Sequence, residues 1–476
     1  MASEILNYDD AIRWMYDRID YERIRPADKV NPFRLERIER MLKRIGSPHE
    51  RIPTVHIAGT KGKGSTAAML DSILQAAGMR TGLFTSPHIE QFEERMRVCG
   101  HMPHPTQLTR LVARLHRILQ SEGNASDHVP TFFELTTVLA WMLFDEEKVE
   151  FVVLETGLGG RLDCTNVCRP LVTIITSIGL DHTHILGDTI SQIAYEKAGI
   201  LKAGVPVVQG QLPGDADLVV SARAAELKCQ RYVCGQQFAW HIDPEEAAIH
   251  GRSRSQRILV MTPRQNLHNL VVPLLGQHQA HNASLAVMAA EIIQQAGFPQ
   301  ITSDAVTQGL QATHWPLRFE VCDGHPAIVL DAAHNPDSMH TVAGVLRGSE
   351  WQQRKRVLVF AASADKDVRS MLHIILPNFD HVVFTRFLGN PRSVPPEQLQ
   401  AIAEALDPAT TECLQIEISA TPETALNRAC DAAGRDGLVC VTGSLFLAAE
   451  VRGVLKGSKA LRQFPSPSNH PGREET

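Results

Sequence analysis

The 476-residue sequence has nine cysteines but no Cys-x-x-Cys pair, and the nine are scattered along the chain. This spacing provides no disulfide framework and no paired-cysteine metal motif, and it indicates a reducing compartment. The chain also lacks a basic segment followed by an apolar run at its start, where MASEILNYDD is acidic. We therefore expect no secretion signal and a cytoplasmic protein.

The sequence has no apolar run long enough to cross a bilayer and no excess of positive charge. One of the longest apolar runs, LTTVLAWMLF at 135–144, has the length of a buried helix. The net charge of −6 gives polyanions no general attraction, so neither a membrane nor nucleic acid is an expected partner. An apolar content of 43% is ordinary for a globular enzyme, and 476 residues favour two domains.

Two regions alternate short β-branched runs with helical patterns. The first, from 54 to about 210, contains TVHIAG, RTGLFTS, FVVLETG, LVTIITSIG and VPVVQG; the second, from about 315, contains AIVLDAAHN, RVLVFAAS, HVVFTRF, CLQIEIS and GLVCVTGS. Such alternation predicts an α/β protein with parallel sheets and crossover helices. Between the two regions, 238–275 is more polar and favours hairpins or an irregular lobe, and a helix is predicted over 278–296.

A glycine-rich stretch, HIAGTKGKGSTAAML, begins in the first predicted strand. TVHIAG is typical of a strand, GTKGKG of a turn and STAAMLDSILQAAG of a helix ending at Gly78, which is the order that a phosphate-binding loop requires. Backbone N–H groups and the positive end of the helix bind anionic oxygens in such loops. The expected ligands are Gly62, Lys63, Gly64, Ser65 and Thr66.

The residue order of this loop is unusual for a phosphate-binding loop. Gly64 lies between Lys63 and Ser65, whereas the common pattern has Ser or Thr directly after Gly-Lys. The alternative interpretation is a glycine turn that serves only the tight packing of a strand on a helix. The order of strand, loop and helix favours phosphate binding.

Further blocks follow in a fixed order along nearly the whole chain. They are GTKGKGS, FTSPHIEQFEERMRV, TFFELTT, LETGLGGRLDCTN, TSIGLDHTHILGDTISQIAYEKAGILK, GQHQAHNASLA, HWPLRFE, LDAAHNPDS and VTGSLFLAAEV. Together they resemble the Mur-ligase superfamily and, within it, the folylpolyglutamate synthases and dihydrofolate synthases. The resemblance implies an N-terminal P-loop ATP-binding domain (1–312) and a smaller C-terminal Rossmann-like ligase domain (313–456). The polar, Pro- and Ser-rich tail (457–476) is expected to be disordered.

Glu155 and His182 each follow an apolar strand pattern, so both would lie at the carboxyl edge of a parallel sheet. A carboxylate and an imidazole beside a phosphate loop can hold Mg2+, and the resemblance implies Ser86 as a further ligand. From the residues alone, Glu155 could instead cap a helix and His182 could be a hydrogen-bonded buried histidine. A zinc site at Asp181, His182 and His184 is disfavoured because no second cluster completes it.

Lys197 lies in the helical stretch IAYEKAGIL, whose apolar neighbours predict a buried face. A buried ammonium group needs a partner, and Glu196, Glu155 or a phosphate group could supply it. The resemblance implies that this lysine can be carbamylated, which would replace its positive charge with an anion able to support a second metal ion.

The resemblance also assigns residues outside the phosphate loop. Asn282, with His278 and Gln279 beside it, Arg318 and Asp331 would hold ATP between the two domains, which would close around the substrates. His334 and Ser444 would lie near the incoming glutamate. The stretches near the pterin would be Thr131, Phe132, Phe133, Glu134, Leu162, Asp163 and Cys164. Loop or capping roles are the alternative for each.

Two positions depart from the family pattern. Cys164 stands where alanine is usual, and Leu317 stands where glycine is common. Neither change removes a charged or metal-binding group, so the expected activity is unaffected by them and the fine substrate preference is left open.

The implied reaction is an ATP-dependent ligation. A carboxylate needs activation before it can form an amide in water, and the resemblance implies an acyl phosphate that L-glutamate then attacks. The acceptor would be a folate, dihydropteroate or both, and Lys63, Glu155, His182, Lys197 and His334 are the expected catalytic residues. We expect a monomer. Another Mur-type ligase of cell-wall precursors and a P-loop nucleotide switch are the alternatives.

Overall fold

The computed structural model describes residues 5–18, 35–120, 129–243, 254–322, 324–348, 350–406 and 414–457. The predicted disordered tail therefore lies, from 458 onward, outside the described residues. The chain forms two compact units. Unit 1 comprises Met1–Ile242, Arg257–Pro273 and Gln277–His314, and unit 2 comprises Asp243–Gln256, Leu274–Gly276 and Trp315–Thr476.

Unit 1 is built on a seven-stranded sheet. Its strands are β1 Thr54–Ala58, β2 Thr81–Phe84, β3 Met96–Val98, β4 Phe151–Glu155, β5 Val172–Ile175, β6 Val207–Gln209 and β7 Arg231–Val233. Their order across the sheet is β3-β2-β4-β1-β5-β6-β7. Strand β3 is antiparallel to β2, and the other neighbours are parallel. The five strands predicted in this region are confirmed.

The helices of unit 1 surround this sheet. They are α1 Tyr8–Tyr16, α2 Leu35–Arg44, α3 Pro48–Arg51, α4 Lys63–Ala76, α5 Pro105–Gln120, α6 Phe132–Glu146, α7 Thr183–Leu186, α8 Ile190–Ala198, α9 Gly214–Glu226, α10 Gln277–Gln295 and α11 Ser303–Ala312, with 3-10 turns at Phe92–Arg95 and Cys164–Val167. One core cluster joins β2 and β4 to α1, α2, α5 and α6, and another joins β5 and β6 to α8 and α9. The apolar run at 135–144 is a buried helix, as its composition predicts.

The polar region between 238 and 275 forms a small three-stranded sheet. Its strands are β8 Ala239–Ile242, β9 Gln256–Met261 and β10 Asn266–Val272, in the order β10-β9-β8. Buried positions alternate with exposed ones only over part of β9 and β10. These strands are short and their buried positions alternate only in part, which explains why the sequence indicated hairpins here without locating them.

Unit 2 contains a six-stranded sheet. Its strands are β11 Glu320–Cys322, β12 Ala327–Leu330, β13 Arg356–Phe360, β14 His381–Phe384, β15 Gln415–Ile418 and β16 Leu438–Thr442, in the order β11-β12-β16-β13-β14-β15. Only the β11–β12 pair is antiparallel. The helices are α12 Pro336–Arg347, α13 Val368–Ile375, α14 Pro396–Glu404, α15 Pro422–Ala433 and α16 Leu445–Gly457, with 3-10 turns at Glu350–Gln353 and Leu376–Asn378. The α/β prediction for this region is confirmed.

Across the described residues, no helix combines the length and apolar character that a membrane crossing requires.

Candidate active site

The glycine-rich loop connects the buried strand β1 directly to helix α4. All of Thr54–Ala58 is buried, because β1 is flanked by β4 and β5 in the middle of the sheet. Helix α4 begins at Lys63, two residues before the predicted start, and its N-cap is Gly62 with φ 84°. The helix ends at Ala76, so the prediction that it reaches Gly78 is wrong. Lys63, Gly64 and Ser65 therefore lie in the first helical turn, where N–H groups without a partner inside the helix attract anions. The Thr66 N–H already donates to the Gly62 carbonyl oxygen at 2.9 Å.

Two glycines of the loop have close neighbours that leave no room for a side chain. A Cβ atom on Gly59 would lie 1.8 Å from Thr176 Oγ1, and one on Gly62 would lie 2.4 Å from Asn282 Oδ1. Gly62 also has a positive φ, which disfavours other residues. Tight packing, the alternative reading of the loop, is therefore real, and it coexists with a geometry suited to anion binding.

The segment after β5 holds the other side of the loop. Thr176 Oγ1 donates to the Lys61 carbonyl oxygen at 2.6 Å, and the Lys61 N–H donates to Ser177 Oγ at 2.9 Å. The Thr60 N–H donates to the Ser177 carbonyl oxygen at 2.8 Å. These contacts of Thr176 and Ser177 were not expected from the sequence. Their signal was the pair of hydroxyl side chains in TSIG, directly after an apolar strand.

Two lysine amines meet at one carbonyl group of the loop. Lys63 Nζ donates to the Gly59 carbonyl oxygen at 3.1 Å, and Lys197 Nζ donates to the same oxygen at 2.9 Å. Lys197 is only 4% exposed. Burial, followed by repulsion from Lys63, lowers the pKa of Lys197 to about 7. A large fraction of this amine is therefore neutral near neutral pH.

The structure corrects one expected partner of Lys197. Glu196 lies next to it in sequence, but the Glu196 carboxylate pairs with Arg161 Nη2 at 2.8 Å. Neighbouring residues of a helix point about 100° apart, so one can face the core while the other faces the surface. Lys197 is directed to the Gly59 carbonyl group instead.

The expected magnesium ligands lie near the loop at the ends of different strands. Glu155, at the end of β4, is 4% exposed; its Oε2 accepts the Ser86 N–H at 3.2 Å, and its Oε1 is 3.9 Å from Lys63 Nζ. Glu155 does not cap a helix, so that alternative is wrong. A carboxylate beside a serine is a donor set suited to Mg2+, which prefers oxygen ligands.

His182 occupies the turn after β5 and has a left-handed backbone with φ 51°. Its side chain is 49% exposed, so the alternative of a buried histidine is wrong. Asp181 accepts the His182 N–H at 3.0 Å and pairs with Lys61 Nζ at 3.2 Å. The rings of His182 and His184 have centroids 6.4 Å apart. Within the described ranges, no group of three or more His, Cys, Asp and Glu side chains is arranged to hold a metal ion.

The first turns of α10 lie beside the loop. Asn282 is 5% exposed, and its Oδ1 occupies the space over Gly62. Its Nδ2 donates to Gln279 Oε1 at 3.1 Å. His278 lies one residue before Gln279 and is partly exposed. The structure thus brings Asn282, with Gln279 bonded to it, to the glycine-rich loop, although Asn282 is far from Gly62 in the sequence.

Thr131 and Glu134 form a capping box at the start of α6. The Glu134 N–H donates to Thr131 Oγ1 at 3.2 Å, and the Thr131 N–H donates to Glu134 Oε2 at 2.7 Å. The other Glu134 oxygen accepts Arg37 Nε at 2.6 Å. Capping chemistry, the alternative for these two residues, is therefore present.

The two phenylalanines of the same stretch have different surroundings. Phe132 is fully buried and stacks on Tyr16, with ring centroids 5.2 Å apart. The Arg95 guanidinium lies 5.2 Å from the Phe132 ring centroid. Phe133 packs over Gly157, where an added Cβ atom would lie 2.4 Å from Phe133 Cζ. Phe133 thus connects α6 to the loop that follows β4.

Asp163 organises the loop at 157–163. Its carboxylate accepts the Leu158 N–H at 2.8 Å and the Thr165 N–H at 3.0 Å, and it caps the 3-10 turn. Burial raises the pKa of Asp163 despite these bonds. Leu162 is partly exposed beside it. Cys164, the departure from alanine, is 8% exposed, and burial raises the pKa of its thiol well above the usual range.

In unit 2, the predicted residues lie at the carboxyl edge of the sheet. Asp331 follows β12 and accepts the Phe319 N–H and the Ala333 N–H, both at 2.8 Å. Burial raises the pKa of Asp331, and Arg318 opposes the rise. His334 Nδ1 is 2.8 Å from the Ala332 carbonyl oxygen.

Ser444 follows β16, the strand that pairs with β12, so it shares this edge with Asp331 and His334. Its hydroxyl accepts the Phe446 N–H at 3.2 Å in the first turn of α16. The capping role, which was the alternative for this serine, is therefore present.

The backbone at Leu317 explains why glycine suits this position. Leu317 has φ 58° in the left-handed region, and its side chain is fully buried. The left-handed conformation costs about 1–2 kcal/mol for a residue with a Cβ atom, whereas a buried leucine contributes about 2–5 kcal/mol of packing. Packing therefore outweighs strain at this position.

We expect Leu317→Gly to lower the free energy of unfolding, but by about 1 kcal/mol less than Leu317→Ala does, because only alanine retains the strain. Urea unfolding of both variants measures this difference. At Ala224, inside helix α9, the same comparison should favour alanine over glycine. If the alanine variant were the more stable one at 317, backbone strain would not explain the usual glycine.

Comparisons with known proteins agree with this geometry. The Mur ligase middle domain matches residues 57–290, and the glutamate ligase domain of Mur ligases matches residues 317–445. A dihydrofolate synthase/folylpolyglutamate synthase of Bacillus subtilis is 34% identical over 453 residues, which cover 94% of this chain and 99% of that protein. A probable bifunctional folylpolyglutamate synthase/dihydropteroate synthase of Haloferax volcanii is 36% identical over 94% of this chain, which spans 50% of that longer protein.

A solved structure of Mycobacterium tuberculosis folylpolyglutamate synthase, complexed with ADP and AMPPCP, has a TM-score of 0.81 to this fold. The two are 29% identical, and the match covers 95% of this chain and 99% of that one. Since the loop, both domain matches and nearly the full length of the Bacillus relative coincide, the chain belongs to the folylpolyglutamate synthase/dihydrofolate synthase family of Mur ligases.

Proposed function

We propose that this protein is an ATP-dependent ligase that adds L-glutamate to folates, to dihydropteroate or to both. The observation that supports this most is the loop between β1 and α4, where Lys63 Nζ lies 3.1 Å from the Gly59 carbonyl oxygen and 3.9 Å from Glu155 Oε1. A lysine placed between a phosphate loop and a carboxylate suits the transfer of a phosphoryl group.

The loop itself would bind the ATP phosphates. The backbone of the first turn of α4 offers N–H groups to anionic oxygens. The Thr66 hydroxyl is fully buried and has no hydrogen-bond partner among the described residues. The proposed phosphate ligands are Gly62, Lys63, Gly64, Ser65 and Thr66. Asn282, whose Oδ1 lies over Gly62, is proposed as a further ATP-binding residue.

Residues of the acceptor and glutamate sites stay predictions. In unit 1, we propose acceptor contacts from Phe133 and Leu162, with Thr131, Phe132, Glu134, Asp163 and Cys164 shaping the surrounding loops. In unit 2, Arg318 and Asp331 would bind the nucleotide, and His334 and Ser444 would lie near the glutamate. We propose residues 1–312 and 313–456 as the corresponding domains.

The reaction would proceed in two displacements. The acceptor carboxylate attacks the γ-phosphorus of ATP, ADP leaves, and an acyl phosphate forms. The amine of L-glutamate then attacks the carbonyl carbon, and inorganic phosphate leaves as the amide forms. Lys63 and the loop N–H groups would stabilise the negative charge on the transferring phosphoryl group, and loss of one such contact typically costs about 3 kcal/mol.

Magnesium would be held by Glu155, Ser86 and His182. It would supply charge neutralisation at the phosphate oxygens. The buried Glu155 carboxylate accepts the Ser86 N–H, and its oxygens lie beside Lys63.

Carbamylation of Lys197 is part of the proposal. Only a neutral amine reacts with CO2, and the pKa of Lys197 near 7 makes that form abundant. The carbamate would exchange a cation that repels Lys63 for an anion that attracts it. A carbamate signal in 13C NMR after addition of labelled bicarbonate, absent from Lys197→Met, would support the modification, and equal spectra would contradict it.

Lys197 should also make stability depend on pH. Its pKa is about 7 when folded, against 10.5 ordinarily, so the unfolded chain binds more protons between these values. Stability should therefore rise with pH across this window, by on the order of 1.4 kcal/mol per pH unit from this group alone. Urea unfolding in CO2-free buffer at pH 7, 8 and 9 should show the rise in wild type relative to Lys197→Met. If the free energies of unfolding of wild type and Lys197→Met changed equally with pH, the lowered pKa of Lys197 would be contradicted.

The activity is tested by phosphate release with purified protein, ATP, Mg2+ and L-glutamate. Dihydropteroate and tetrahydrofolate are compared as acceptors, and the products are identified by mass. We expect release only when acceptor and glutamate are both present. ATP hydrolysis that does not need glutamate would instead indicate a nucleotide switch, and activity restricted to UDP-linked muramyl acceptors would indicate another Mur ligase.

The cytoplasmic location and the monomeric state stay predictions. Sedimentation equilibrium at micromolar concentration should give the mass of one chain, 52.5 kDa, and a doubled mass would contradict the monomer.

A further inference from the structure

Strand β1 contains a buried histidine that the proposed reaction does not use. His56 lies three residues before Gly59 and is fully buried. Its Nε2 is 2.8 Å from Thr165 Oγ1, in the 3-10 turn after the loop at 157–163. A polar side chain in the central strand of a sheet is costly unless it is hydrogen-bonded. The bond to Thr165 meets this requirement for one of the two ring nitrogens, whereas Nδ1 has no partner among the described residues.

The hydrogen bonds that connect His56, Thr165 and Asp163 are donated in one direction, from His56 towards Asp163. Thr165 Oγ1 donates to Asp163 Oδ1 at 2.5 Å, and both Asp163 oxygens also accept backbone N–H groups, from Thr165 and from Leu158. Because a hydroxyl has one proton, Thr165 must accept from His56. The imidazole is therefore the tautomer with its proton on Nε2.

The protonation state of His56 keeps this direction constant. Burial lowers the pKa of His56 to about 3, so the ring stays neutral and has a single N–H throughout the working pH range. The bond from His56 to Thr165 therefore does not change with the protonation of His56. Continued by Thr165 to Asp163, it connects the strand before the phosphate loop to the loop at 157–163.

The connected loop is the one that would contact the acceptor. Asp163 fixes the N–H of Leu158, and Leu162 lies next to Asp163. On the far side, the Arg161 N–H donates to the Glu196 carbonyl oxygen at 2.7 Å. The loop is thus held from β1 at one side and from α8 at the other.

We propose that His56 is a positioning residue for the carboxylate-bearing acceptor: through Thr165 and Asp163 it sets the loop at 157–163 relative to the phosphate loop. This inference rests on the proposed function for the identity of the acceptor. Binding of ATP, which uses the other end of β1, should be little affected by the loss of His56.

Two pairs of variants test this. His56→Leu and Thr165→Val remove the hydrogen bonds at similar volume, whereas His56→Gln and Thr165→Ser retain a donor at the same place. In the phosphate-release assay with tetrahydrofolate, we expect the first pair to raise the KM for tetrahydrofolate about tenfold. This is the size of effect expected when a buried polar group loses its hydrogen-bond partner. The KM for ATP should stay within about twofold, and the conservative pair should recover most of the loss.

Two results would overturn the inference: equal increases in both KM values, or an unchanged acceptor KM with only a lower melting temperature. Should His56→Leu fail to fold, the nearly isosteric Thr165→Val decides the question.

Amide hydrogen exchange separates this inference from the proposed function. Without substrates, the N–H groups of Leu158 and Thr165 should exchange faster in Thr165→Val than in Thr165→Ser, while those of β1 are unchanged. A wild type inactive with every acceptor would overturn the proposed function, whereas equal exchange in the two variants would overturn the positioning role of His56.

Discussion

Replacing Lys63 with methionine should lower kcat/KM about a hundredfold or more, because each lost contact to the transferring phosphoryl group costs about 3 kcal/mol. The ammonium group lies 3.9 Å from Glu155 and within hydrogen-bond distance of the Gly59 carbonyl group, which is where we expect negative charge to develop on the transferring phosphoryl group. Methionine keeps the length and the apolar stem of lysine. The measurement is steady-state phosphate release at saturating Mg2+.

Lys61→Met is the matched control for this prediction. It removes the same charge from the same loop, but Lys61 Nζ pairs with Asp181 at 3.2 Å, so the fall in kcat/KM should be much smaller. The melting temperatures of both variants should stay near that of wild type, because both side chains are partly exposed. Lys63→Met with activity close to wild type would contradict the phosphate role of this loop.

Gly59→Ala should abolish most activity and destabilise unit 1. The added Cβ atom would lie 1.8 Å from Thr176 Oγ1, the hydroxyl that binds the Lys61 carbonyl oxygen at 2.6 Å. Gly59 has no positive φ, so the cost is steric and not conformational. Overpacking of this kind typically costs about 1–3 kcal/mol. It would also displace the loop that we expect to bind phosphate.

The double variant Gly59→Ala/Thr176→Ala tests the mechanism of this loss. Removing the hydroxyl relieves the closest contact, so the double variant should be more stable than the sum of the two single changes predicts. Gly214→Ala is the control, because a Cβ atom there has no neighbour within 4 Å. Urea unfolding of the four proteins measures the coupling, and strict additivity would rule out the clash.

Much of the fold could be predicted from local sequence patterns. The β-branched runs and the helical stretches between them located the parallel strands of both units, because a buried strand is apolar over its own few residues. The strands that were not located, such as β7 and those of the small sheet, are short and partly polar. Their pairing depends on neighbours far along the chain and not on their own composition.

The candidate site could be predicted from the sequence in part. The order of strand, glycine loop and helix indicated phosphate binding, and the ordered blocks indicated the family. The expectation that Lys197 could pair with Glu196 was wrong, because side-chain direction on a packed helix depends on what covers each face. His182 also proved to be half exposed, although it follows an apolar strand.

The sequence alone thus determined the class of fold, through patterns within a few tens of residues, and the family, through blocks in a fixed order along nearly the whole chain. It also predicted the phosphate-binding role of the glycine-rich loop. Only the tertiary structure decided which groups meet at that loop. Thr176 contacts Lys61 across 115 positions, Lys197 reaches Gly59 across 138, and His56 meets Thr165 across 109. Hydrogen bonds and steric contacts act over a few ångströms in space, and local residue patterns contain no record of which distant segments the sheet brings together.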